Sequence, residues 1–201
     1  MIDSVMEQWE GESPEVTAKD PRNAVRHPKL DMKSGELFFV HQSKAEGVRE
    51  LAFCTADKEG RVVDESRFPT PYAGTVGGFV VTEAHVVILL LPWAFGSGAA
   101  AGPLGQGALA PESHFAVLPR HGASADEVRW FHGPAAFAAQ MMNGFDDGSK
   151  ILVDLCLADC GYSPVSPHHL GGSGEQARAS SLKRITFNLA GNGDTVQIET
   201  P

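Results

Sequence analysis

Cysteine is scarce in this 201-residue sequence: Cys54, Cys156 and Cys160 are the three present. An odd number closes no complete disulfide framework, so the pattern fits a reducing compartment better than secretion. Basic clusters are missing as well. The formal charge is −9, and no run of Lys or Arg offers phosphate a counter-charge, which argues against a nucleic-acid partner. Long apolar runs are lacking too. The most apolar stretch, VVILLLPWAF from Val86, is far short of the ~20 residues that cross a bilayer, and Pro92 interrupts it. The opening MIDSVMEQWEGESPEV has neither the basic end nor the apolar stretch of an export signal. The expectation is a cytoplasmic chain without a transmembrane segment.

What is present points to β structure. A hydrophobic content of 42% supports a real core, while 22 glycines and 13 prolines break the chain into short elements. From Gly35 onward β runs alternate with turns. ELAFCTADKEGRVVDESRF is two runs around Asp57–Gly60, and GGFVVTEAHVVILLL is two more around TEAH. HFAVLPR, DEVRWF and DDGSKILVDLCLAD continue the rhythm, and LKRITFNLAGNGDTVQIE turns on Gly191-Asn192-Gly193-Asp194. GSGAAAGPLGQGALAPES and GYSPVSPHHLGGSGEQARA read as loops, and only GPAAFAAQMMNGF is helical by composition. Regularly spaced short strands fit a sandwich, a barrel or a propeller, and pattern alone leaves all three open.

Two features carry candidate chemistry. His27, between Arg26 and Pro28, is either a metal ligand or an ordinary residue at the start of a strand. DLCLADC sets two thiols near one another without a second pair, so buried or free cysteines are favoured over zinc.

Four stretches taken together say more. RHPKLDMKSGELFF, GGFVVTEAHVVILLLPW, SHFAVLPRHG with VRWFHGPAAFAAQMMNGFDDG, and ILVDLCLAD follow one another as in the carotenoid cleavage oxygenases. That family includes the lignostilbene dioxygenases and the retinal-pigment isomerase, and the resemblance runs from about Ala24 to the final hairpin. It implies an all-β fold, a partial β-propeller of about four blades from a seven-bladed ring. Residues 24–201 would form that domain, with 1–23 a divergent segment in which Gln8–Val16 is similar to a family stretch of the form WEGG.P. It also implies a non-haem Fe(II) held by four histidines from different blades. With O2 such a centre splits a C=C bond of a carotenoid, apocarotenoid or stilbene. Neutral imidazoles hold Fe(II) while leaving positions open for O2, and an apolar tunnel suits the substrate.

Carried over residue by residue, the pattern is incomplete. His27, in Arg26-His27-Pro28-Lys29-Leu30-Asp31 before Gly35-Glu36, matches the first ligand. The second ligand position is Gly77 and the third is Gln140, so AAFAAQMM is expected as strand and loop rather than helix. The fourth family histidine belongs to a longer chain, beyond Pro201. His132, His168 and His169 are candidate substitutes, whereas His41, His85, His114 and His121 match no ligand position. Phe79, Phe137 and Phe145 would line a tunnel or, more commonly, pack a core. One imidazole binds Fe(II) little better than water does. The resemblance therefore implies an oxygenase-family chain that binds iron weakly or not at all and is inactive alone. The other reading is a non-catalytic propeller fragment holding an apolar ligand or a partner chain, with open strand edges available for pairing.

Overall fold

ELAFCTA, HVVILLL and ILVDLCL are apolar at almost every position, a pattern suited to strands covered on both faces. In the computed structural model each is an inner strand of a four-stranded antiparallel sheet. Residues 23–43, 49–72, 74–91, 112–134, 136–159 and 180–201 are described, with backbone alone at 23–27, 43, 136–139 and 158–159.

The first sheet runs β1 (Asn23–Leu30), β2 (Leu37–Ser43), β3 (Glu50–Ala56), β4 (Val62–Pro69). The second runs β5 (Thr75–Val81), β6 (His85–Leu91), β7 (Glu112–Pro119), β8 (Arg129–Pro134). The third runs β9 (Ala136–Asp146), β10 (Lys150–Asp159), β11 (Ser181–Asn188), β12 (Gln197–Glu199). Each is a meander in which sequence neighbours are spatial neighbours. Length allowed about four such sheets, and the described residues hold three. The two Gly-rich loops lie largely outside the described residues.

The described residues form two compact units. The first is the β1–β4 sheet with the segment His121–Glu127. Leu37, Phe39, Ala52, Cys54 and Ala56 pack on one face, and the rings of Phe38 and Phe53 stack at 5.9 Å on the other. Burial, then the nearby Glu65 charge, pushes the Cys54 thiol up to about 12, so it stays protonated and inert. The β3–β4 turn forms where Asp57 Oδ1 accepts from the backbone N–H groups of Glu59 and Arg61, while Gly60 takes the positive φ of 83°. In the 121–127 segment, the Gly122 N–H donates to Asp64 Oδ2 at 2.8 Å. DEVRWF is not one strand. Asp126 and Glu127 belong to a 3₁₀ turn, Ala125–Glu127, and the strand starts at Arg129. The Ser124 hydroxyl and N–H both donate to Glu127 Oε2, and the Glu127 N–H donates to the Ser124 carbonyl, which together stabilise the turn.

The second unit holds the other two sheets, whose facing sides share one core. Val87, Leu89, Leu91, Phe115 and Phe131 meet Met141, Ile151, Val153, Leu155, Ile185 and Phe187. Phe187 is edge-on to both Phe115 and Phe131, at 5.3 and 5.4 Å. The seam is tightest between β5 and β9. A Cβ at Gly144 would lie 2.9 Å from Val80 Cγ2 and 3.1 Å from Thr82 Cγ2, so glycine is what lets the strands approach.

Polar links fasten the same two sheets. His85 Nδ1 hydrogen-bonds Asp146 Oδ2, and the Gly148 N–H donates to Asp146 Oδ1 at 2.7 Å. Arg129 donates to the carbonyls of Leu189, Gly191 and Gly193, at 2.9, 2.8 and 3.1 Å, and so holds the β11–β12 turn. The His132 N–H donates to Asp194 O and its carbonyl accepts from the Val196 N–H, laying the approach to β12 along the β8 border.

Two outcomes follow. Gly144→Val overpacks the β5–β9 seam and is expected to cost about 1–3 kcal/mol in urea unfolding. Burial raises the Asp146 carboxyl, but bonds from His85, Gly148 and Thr82 outweigh it and leave the pKa below its ordinary value. The stability this contributes is present above the unfolded pKa and lost as pH falls through the folded one. Asp146→Asn should therefore lose about 1–3 kcal/mol near neutral pH, and its unfolding midpoint should fall less than the wild type's on acidification.

Candidate metal centre

The three positions matched to metal ligands share a local setting. β1, β5 and β9 are each the first strand of their sheet in sequence and lie at its border. Each carries a β-bulge at or beside the matched residue. Pairing slips between Arg26 and Lys29 around His27, between Val76 and Gly78 around Gly77, and between the Gln140 and Ala138 pairs on β9. A bulge leaves one residue out of the ladder and re-aims it, which is why bulges gather near functional sites. The backbone of this chain has a bulge at all three positions. The side chains are another matter.

His27 lies on β1, with its side chain outside the described residues. At Gly77 no donor exists, and the space beside it is taken. A Cβ there would lie 2.7 Å from Leu91 Cγ and 2.9 Å from Leu91 Cδ2. Leu91 is 5% exposed and belongs to the core between the two sheets, so hydrocarbon fills the place where a ligand side chain would start. Gln140 is exposed and pairs across to Cys156 on β10. Its amide oxygen is a neutral, weak donor beside imidazole. The segment is strand, as expected: pairing with β10 overrides the helical composition of AAFAAQMM.

The substitutes do not fill the gap. His132 is on β8, in a different sheet from Gln140, with Nδ1 3.2 Å from Glu112 Oε1 and Nε2 3.3 Å from Asp194 Oδ1. Each ring nitrogen thus has a carboxylate nearby, one from β7 and one from the β11–β12 turn. His168 and His169 lie outside the described residues, as do Cys160 and the Gln8–Val16 stretch. Among the described residues no three His, Cys, Asp or Glu side chains are placed to hold a metal ion. Phe79 is fully buried core, whereas Phe145 is 51% exposed, and the Phe137 side chain is outside the described residues. Gly77 and Gln140 thus do not fit an Fe(II) centre.

Sequence reasoning did not find Leu91 or the His85–Asp146 link. Both pair residues distant along the chain, and neither carries a local signal. The Gly77–Leu91 contact has a direct test. Gly77→His should not restore metal binding but should destabilise by about 1–3 kcal/mol through overpacking. In a Leu91→Ala background the same change should cost less, a coupling read by a double-mutant cycle of urea unfolding curves.

Comparison with known proteins bears on the family and the fold. The family model described as retinal pigment epithelial membrane protein matches residues 7–200. Isoeugenol monooxygenase of Pseudomonas putida is 32% identical over 132 residues, covering 64% of this chain and 27% of the relative. Carotenoid cleavage oxygenase 1 of Neurospora crassa is 28% identical, covering 60% of this chain and 24% of the relative. The crystal structure of the Pseudomonas brassicacearum lignostilbene dioxygenase superposes with a TM-score of 0.69 at 30% identity, over 87% of this chain and 37% of that one. The chain therefore spans well under half the length of the proteins it matches, as a partial β-propeller does. Among the described residues no helix is long and apolar enough to cross a membrane. With the family model matched across nearly its whole length, this chain belongs to the retinal pigment epithelial membrane protein family of carotenoid oxygenases.

Proposed function

We propose that this chain is a segment of a carotenoid-oxygenase propeller that does not cleave substrate by itself. The observation that carries the reading is the Gly77 position, where Leu91 occupies the place of a ligand side chain. Gln140 supports it, being exposed and lacking an imidazole. His27 is then a vestigial or partial Fe(II) ligand on a bulged border strand. Residues 24–201 are taken as the propeller domain, with 1–23 a divergent segment, and the cytoplasm is the compartment that three cysteines favour.

The substrate class of any whole protein built on this segment follows from its relatives. They are named for isoeugenol, carotenoids and lignostilbene, all largely apolar molecules bearing a C=C bond. A retained role without turnover is to hold such a molecule or another chain. Among the described residues β1 and β4 border their sheet, the place where a further strand would add.

Elemental analysis of the purified chain, loaded with Fe(II) and passed through a desalting column, should find far less than one iron per chain. Isoeugenol, a hydroxylated stilbene and an apocarotenal should remain intact on incubation with O2. Stoichiometric iron together with carbonyl products would overturn the reading.

A further inference from the structure

Glycine follows asparagine twice in this chain, at Asn143-Gly144 and at Asn192-Gly193, and the fold treats the two pairs differently. An asparagine before glycine is open to attack on its side-chain amide by the next backbone nitrogen, because glycine has no Cβ in the way. The attack needs backbone freedom, which strand pairing removes. Asn143 pairs with Asp154, and Gly144 with Val153, in the β9–β10 ladder. A Cβ at Gly144 would lie 2.9 Å from Val80 Cγ2, so this backbone has no room to turn. Asn192 and Gly193 are instead exposed in the turn between β11 and β12. Nothing lies within 4 Å of a Cβ built on Gly193, and among the described residues no group accepts from its N–H. Asp147 also precedes a glycine, but bonds from Ser149 and then Lys150 hold its carboxyl below the ordinary range, and a carboxylate resists this attack.

The turn is gripped on either side of Asn192. Arg129 Nη2 donates to Gly191 O at 2.8 Å and to Gly193 O at 3.1 Å, while Nη1 donates to Leu189 O at 2.9 Å. Just beyond, the His132 N–H donates to Asp194 O at 2.8 Å, and the Val196 N–H donates to His132 O at 3.0 Å.

We infer that Asn192 is a site of spontaneous conversion to isoaspartate, and that the conversion loosens the approach to β12 from β8. The Gly193 nitrogen gives its proton to hydroxide and bonds to Asn192 Cγ. The Cγ–Nδ2 bond breaks, and ammonia leaves with a proton from water. Water then opens the five-membered imide in one of two ways. Attack at Cγ restores the backbone and gives aspartate. Attack at the Asn192 main-chain carbonyl carbon breaks its bond to the Gly193 nitrogen and leaves the chain running through Cγ. The sum is one water in and one ammonia out. Isoaspartate puts Cβ into the backbone between the two carbonyls that one Arg129 nitrogen holds, and the planar guanidinium cannot follow both. Aspartate keeps the backbone length, so the grip survives. The two products are thus distinguishable, and neither depends on whether the chain binds iron.

The test ages the full chain in warm, mildly alkaline buffer, followed by peptide mapping and amide hydrogen exchange. Asn192 should convert at least ~10-fold faster than Asn143, whose reaction waits on opening of the ladder. In the urea-unfolded chain the two should convert at similar rates. Gly193→Ala, whose Cβ meets open space, should fold as the wild type does and age far more slowly. The Val196 and His132 amides should exchange faster in the isoaspartyl fraction than in fresh protein, and freshly made Asn192→Asp should match the wild type. Equal conversion of Asn143 and Asn192 in the folded chain overturns the inference. So does an Asn192 that converts in urea but stays intact when folded. Isoaspartate formed with no change in Val196 exchange overturns the loosening.

Discussion

The second unit depends on the close approach of β5 and β9. Two twisted sheets normally pack about 10 Å apart with side chains between them. Here the first strands of the sheets come nearer, because Gly144 presents no side chain to Val80 and Thr82. That approach brings Asp146, two residues further along β9, within reach of His85 at the start of β6. It also lets Met141, Val153 and Leu155 meet Val87, Leu89 and Leu91 in one continuous core. The packing, the polar link and the filled space beside Gly77 are thus parts of a single arrangement.

Much of this was legible in the sequence where the signal is local. The Asp57–Gly60 and Asp147–Ser149 turns could be read because an aspartate bonds its own backbone a few residues on, with glycine supplying the positive φ. The inner strands announced themselves by composition. β1 is legible only as one of two readings of His27, because NAVRHPKL has little apolar alternation and contains a proline, which only a border strand or bulge tolerates. The strand expectation for DEVRWF fails at Asp126 and Glu127, where Ser124 donates twice to the Glu127 carboxylate and holds a turn.

The candidate site divides the same way. The identities of His27, Gly77 and Gln140 at the matched positions follow from the family resemblance carried along the sequence. That each lies on the first strand of a meander, beside a bulge, needs strand pairing to be known. Leu91 could not have been found, since its contact with Gly77 depends on where β5 and β6 place two residues relative to each other. The pairing of His132 with Glu112 and Asp194 likewise joins three separate segments.

The bulges themselves have a consequence for how such a protein loses its chemistry. A bulge is set by strand register and backbone hydrogen bonds, so the direction in which its residue points does not depend on the side chain it bears. A donor at such a position can vanish while the surrounding ladder keeps its pairing. Reactivity and architecture then decay on separate clocks: the lineage can go silent first, and its β framework can persist long afterwards for other uses.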